Sequence, residues 1–126
     1  MNSSAMRKII VTVLLLITAA MLVHAQDPFT ACNTVKYTAG TPFALNVDKV
    51  LLSMQKNTPK SDDRDFWIHL TKPDVYGHAN CSAITTVAEC SSCLSTAVGD
   101  VSTCGLAVGV RVVLGSCSIR YEAYKF

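Results

Sequence analysis

The stretch Val108-Gly109-Val110-Arg111-Val112-Val113-Leu114-Gly115-Ser116-Cys117-Ser118-Ile119-Arg120-Tyr121-Glu122 reads as two strands joined by a Gly-Ser turn. Side chains alternate between the faces of a strand. With a two-residue loop, 114 faces 117, 112 faces 119 and 110 faces 121. Val110, Val112, Leu114, Ile119 and Tyr121 then share one side of the ribbon. Arg111, Ser118, Arg120 and Glu122 share the other. Arg111 lies opposite 120, Glu122 lies opposite 109, and the two are diagonal neighbours. An odd loop would undo this parity.

A ribbon that is greasy on one side must be covered, and two upstream segments have the right period. After Thr41-Pro42, the residues Phe43, Val47, Val50, Leu51 and Met54 recur at helical spacing, while Lys49 and Lys56 fall on other faces. This predicts an amphipathic helix ending near Asn57-Thr58-Pro59. Thr86-Val87-Ala88-Glu89 has the form of a capping box, and Cys90, Cys93, Leu94, Ala97, Val98 and Val101 continue the period behind it. Between these segments, Lys60 to Asp65 reads as a polar loop. Its three carboxylates lack the Gly hinge and closing Glu of a calcium loop. Phe66 to Leu70, a turn at Lys72-Pro73-Asp74, and Val75-Tyr76 read as a short hairpin. The expected class is α+β, with two helices packed on one face of a small antiparallel sheet.

Near the N-terminus, Arg7 and Lys8 precede the uncharged run Ile9 to Val23, which ends at Val23-His24-Ala25. A basic start, a short apolar centre and an Ala exit predict a signal peptide over 1–25, cleaved after Ala25. Fifteen residues rise about 22 Å as a helix, short of a hydrocarbon layer of ~30 Å. A secreted domain over 26–126 without stable membrane insertion is the expectation. Of the 11 basic and 9 acidic residues, two basic ones leave with that segment, so the remainder balances at 9 and 9. Neutrality argues against nucleic acid as a partner and against membrane killing by a cationic helix. With 50% apolar residues and 16% charged, the chain is too apolar for disorder.

All six cysteines (Cys32, Cys81, Cys90, Cys93, Cys104 and Cys117) follow the predicted cleavage point. An even count in a small secreted chain predicts three disulfides, and spacing leaves fifteen pairings open. Cys90-Ser91-Ser92-Cys93 taken alone also suits half a zinc site or a redox pair. Against these stand the thirteen-residue gap from Cys104 to Cys117 and the helical setting of the pair.

Cys81-x8-Cys90-x2-Cys93, with Tyr76-Gly77-His78-Ala79 before it and Cys104 and Cys117 after it, resembles the plant ginkbilobin-type, or salt-stress/antifungal, domain. Ala31-Cys32-Asn33-Thr34, Cys93-Leu94-Ser95 and Gly109-Val110-Arg111-Val112 match it as well. The resemblance implies a five-stranded sheet with two helices, and the bridges Cys32–Cys104, Cys81–Cys90 and Cys93–Cys117. A single copy ending soon after Tyr121-Glu122 is most similar to the free-standing seed protein that gives the family its name, an antifungal protein that binds mannose. Its sugar-binding Asn, Arg and Glu correspond to Asn33, Arg111 and Glu122. The resemblance therefore implies a secreted apoplastic lectin, with mannose or mannan as partner and no metal or cofactor.

These residue types suit a sugar. An ionised Glu only accepts, an Arg only donates in a planar fork, and an Asn does both. Without the resemblance, an Arg and a Glu on one sheet face read as a surface ion pair, and Asn33 as a turn residue. Tyr76, Tyr121 and Trp67 are expected to pack in the core rather than stack on a ligand. A protein partner outside the cell is the competing expectation. No enzymatic signature accompanies His69 and His78, the two histidines beyond the targeting segment, and both read as structural or surface residues. Asn80-Cys81-Ser82 formally fits a glycosylation acceptor.

Overall fold

A computed structural model describes the backbone of residues 2–23 and 28–126, and the side chains of 2–16 and 28–126. The predicted cleavage point after Ala25 lies outside these residues. In chain order the elements are α1 (Ser3–Val23), β1 (Phe29–Cys32), α2 (Pro42–Asn57), β2 (Asp65–Leu70), β3 (Val75–Cys81), α3 (Val87–Val101), β4 (Val110–Val113) and β5 (Cys117–Glu122). Short 3-10 turns at Thr58–Lys60 and Ser102–Cys104 extend α2 and α3. There are three α-helices among the described residues rather than two. The additional one, α1, carries the apolar run of the predicted targeting segment. No described helix is long and apolar enough to cross a membrane.

The strands form one antiparallel sheet in the order β1-β4-β5-β3-β2. The β4–β5 register pairs Val110 with Tyr121, Arg111 with Arg120 and Val112 with Ile119, and Leu114 N–H donates to Cys117 O across the turn. This is the even-loop parity, so the two faces divide as the alternation requires. Strand β3 runs to Cys81, five residues past Tyr76 where the sequence marks only a resumption. Pairing with β5 on one side and β2 on the other sustains it.

Helix α2 begins where Thr41 Oγ1 accepts from Ala44 N–H, and α3 where Thr86 Oγ1 accepts from Glu89 N–H. Each cap meets a helical donor that would otherwise be orphaned. Val47, Val50 and Met54 of α2 join Leu94, Ala97 and Val101 of α3 in one buried cluster with Val75, Ala79, Val110, Val112, Ile119 and Tyr121 of the sheet. Gly77 sets the approach distance. A Cβ there would stand 2.5 Å from Val50 Cγ1 and 2.9 Å from Ile68 Cγ2.

Disulfides lock these layers together. Cys81–Cys90 ties β3 to α3, Cys93–Cys117 ties α3 to β5, and Cys32–Cys104 ties the end of β1 to the turn after α3. Cys90 and Cys93 each pair with a strand residue, so neither a zinc half-site nor a redox pair forms there.

Candidate functional site

Residues of the second sheet face follow from the register in rows that cross the strands. One row runs Ala31, Arg111, Arg120, His78 and Trp67. The next contains Glu122, Tyr76 and His69. It continues beyond Glu122 through Gly109 to Asn33, whose backbone N–H donates to Gly109 O at 2.9 Å. Asn33, Arg111 and Glu122 thus lie on three adjacent chain segments at one end of the sheet. With neighbouring strands about 4.8 Å apart, the set spans roughly 10 Å.

Glu122 is buried, with its side chain only 10% exposed, and Arg120 Nε donates to its Oε1 at 3.2 Å. The Arg120 guanidinium is itself held. Its Cζ lies 4.1 Å from the Phe126 ring centroid, and its Nη2 donates to Tyr124 Oη at 3.3 Å. The carboxylate also depends on Gly109. A Cβ at that position would stand 1.9 Å from Glu122 Oε2, so only glycine leaves the carboxylate its place. A charge-assisted hydrogen bond within a largely desolvated setting is stronger than one in water.

Arg111 differs from expectation. Its guanidinium has no hydrogen-bond or ion-pair partner among the described residues and lies over the Phe29 ring at 5.7 Å. The partner of Glu122 is Arg120, two positions back on the same strand and face, braced by the chain beyond β5. This leaves the planar donor fork of Arg111 unspent. Asn33 divides its functions. Its Oδ1 accepts from Val35 N–H at 2.9 Å, closing a local turn, while its amide NH2 has no described partner. The site therefore offers two unengaged donors, on Asn33 and Arg111, beside one pre-positioned acceptor.

Of the three aromatic residues expected in the core, only Tyr121 is fully there, donating to Ala107 O at 2.7 Å. Burial, together with Tyr37, Glu122 and Asp48, pushes its phenol far above the usual value. Trp67 is 56% exposed and stacks on His78 at 3.8 Å, because its place on β2 puts it on the second face. Tyr76 stacks on His69 at 4.0 Å. His78 Nε2 meets Asp65 Oδ1 at 2.5 Å, and His69 Nε2 meets Asp74 Oδ1 at 2.9 Å. Asn80 is exposed on β3, and its Oδ1 accepts from Ser118 Oγ. Among the described residues, no group of three or more His, Cys, Asp or Glu is arranged to hold a metal ion.

The Gly109-Val110-Arg111-Val112 motif is visible in the sequence, but the steric role of Gly109 and the bond from Arg120 to Glu122 appear only in the structure. The parity of β5 already put 120 and 122 on one face, which was the available signal.

Comparison with known proteins agrees with this architecture. The chain is 36% identical to the antifungal protein ginkbilobin-like protein 1 of Picea glauca, over 91% of this chain and 92% of that protein. It is 35% identical to the antifungal protein ginkbilobin-2 of Ginkgo biloba, over 86% and 87%. Among solved structures, the tandem DUF26 ectodomain of the Arabidopsis thaliana cysteine-rich receptor-like protein PDLP8 superposes with a TM-score of 0.70 at 28% identity. The match covers 78% of this chain and 48% of that one, so this chain spans about half of the tandem. The salt stress response/antifungal family profile matches residues 31–124. With three quarters of its length inside that profile and its relatives matched nearly end to end, the chain belongs to the salt stress response/antifungal family.

Proposed function

We propose that this protein is a secreted plant defence lectin that binds mannose or mannan and restrains fungal growth. The domain would be residues 26–126, released into the apoplast after removal of a signal peptide over 1–25. In this reading α2 and α3 both cover the inner face of the sheet and leave the outer face for ligand. The observation that carries it is the pairing of unengaged donors on Asn33 and Arg111 with a Glu122 carboxylate fixed by Arg120 and Gly109. Neighbouring hydroxyls of a mannose ring each donate and accept, so Glu122 accepts a hydrogen bond from one hydroxyl while Arg111 and the Asn33 amide donate to adjacent oxygens.

Each such bond contributes about 0.5 to 1.5 kcal/mol net. A few of them, less the ordering cost, leave a single sugar near millimolar affinity, about 4 kcal/mol. Useful retention on a fungal wall then relies on the high local density of mannose along a mannan, where a released protein rebinds before it escapes. The antifungal names of relatives that match almost end to end support the defence role. A mannan pull-down of the oxidised protein tests it. Wild type is retained and eluted by free mannose, whereas Arg111→Ala and Glu122→Ala pass through. Equal retention of all three overturns the site.

A second reading is an extracellular protein-interaction module. The likeness to receptor-like ectodomains and the exposed Leu45 and Leu52 on α2 favour it. It predicts partner binding that free mannose leaves untouched.

A further inference from the structure

The row that holds Glu122 does not stop there. On β3 its direct partner is Tyr76, and beyond Tyr76 on β2 stands His69. There the surface opens into a groove of about 520 Å³ lined by Trp67, Ile68, His69, Tyr76, Lys125 and Phe126. Tyr76, the near wall of this groove, is one strand spacing from Glu122, roughly 5 Å, about the length of one pyranose ring.

We propose that this groove is a second carbohydrate subsite, which takes the neighbouring pyranose of an oligosaccharide whose first ring sits on Asn33, Arg111 and Glu122. The inference rests on the lectin reading and extends it from a single sugar to a chain of neutral sugars lying across β5, β3 and β2. Three features of the groove select that ligand. The lining is mostly aromatic, which suits the C–H face of a sugar ring. Its polar groups are few: His69, Tyr76 and Lys125 line it, and behind the lining Asp74 is bonded to His69 and Asp65 to the Trp67 Nε1–H. Apolar walls with a few convergent polar groups match a ring that is apolar on its face and hydroxylated at its edge. Finally, the aromatic rings are held in advance. Trp67 is stacked on His78 and flanked by Phe126 at 5.6 Å, and Tyr76 is stacked on His69, so little side-chain freedom is lost on binding. Lys125 is the single Lys, Arg, Asp or Glu of the lining, so no cluster of like-charged side chains is there for an ionic ligand.

Trp67 is the chain's one tryptophan and lines this groove, so a change in emission is assigned to a single side chain, and the monosaccharide titration gives the part of it that comes from the first site. The experiment titrates the oxidised protein with methyl α-mannoside and with mannotriose, following Trp67 fluorescence and calorimetric affinity together. Mannotriose is expected to bind about five- to tenfold more tightly than the monosaccharide and to shift the emission. In Trp67→Ala and in Tyr76→Ala, checked for native circular dichroism, the ratio of the two affinities falls to about one by loss of the same contacts. Monosaccharide binding with no gain for mannotriose, or a gain that survives both substitutions, overturns the second subsite while leaving the first intact. Failure of both sugars to bind overturns the lectin reading itself, and this inference with it.

Discussion

Alternate residues of the same strands have opposite fates. On β5, Ile119 and Tyr121 are buried in the cluster they share with residues of α2 and α3, while Arg120 and Glu122, one position away, build a polar arrangement on the other face. The inner face is redundant: apolar contacts, capped helices and disulfides all press on it. On the outer face each residue depends on one or two named neighbours. That contrast teaches that a sheet with period-2 alternation can carry a packed core and a polar surface arrangement in one segment without mixing them.

The separation can be broken from the inner side first. Replacing Cys32 and Cys104 by Ser and Ala frees a closure spanning 72 positions. Chain entropy then predicts a loss of about 4 kcal/mol, read by urea unfolding. A loss below that for the nine-position Cys81–Cys90 bridge would show that loop length does not govern these staples. Leu94→Ala, wholly buried on α3, should cost about 2 to 5 kcal/mol yet, on the proposed lectin reading, leave mannan retention by the remaining folded protein unchanged.

From the outer side, Gly109→Ala is the sharper probe. The new methyl would take the space of Glu122 Oε2. Mannan retention should be lost, with a stability change of about 1 kcal/mol because the displaced group can turn toward water. Arg120→Ala leaves Glu122 without its partner. It should weaken mannan retention less than Glu122→Ala does, and shift the unfolding midpoint only slightly. An equal effect of the two would mean that orientation of the carboxylate, rather than its presence, limits binding.

The smallest effect concerns pH. Burial, then Asp48, raises the Tyr37 phenol, and burial raises that of Tyr121. Both favour the protonated phenol in the folded state. The stability they contribute is therefore complete below the unfolded phenol value of about 10 and declines as pH climbs above it. Thermal midpoints between pH 8 and 12 should fall in that window, and Tyr121→Phe should flatten part of the fall.

Much of the inner face was legible in advance. Val47, Val50 and Met54 announced their helix by spacing, Thr86 announced the start of α3, and the parity at Gly115-Ser116 fixed which residues of β4 and β5 face inward. Strand β1 was not legible, since Phe29–Cys32 is exposed throughout and carries no alternation. Its pairing with β4 supplies the signal that its own composition lacks. The disulfide pairing was also beyond spacing, because all fifteen arrangements satisfy the same count. On the outer face the three candidate residues could be carried over from the family likeness, but their partners could not. The parity of β5 puts Arg120 and Glu122 on one face, but the bracing of Arg120 by Tyr124 and Phe126 and the exposure of Trp67 set by its β2–β3 register leave no local mark.

The most direct test of the account is a backbone amide NMR titration of the oxidised domain with methyl α-mannoside. The account predicts shifts that grow with sugar at Asn33, Gly109, Arg111 and Glu122, with the amides of α2 and α3 unmoved. Shifts centred on α2, or no shift at a saturating sugar concentration, would contradict it.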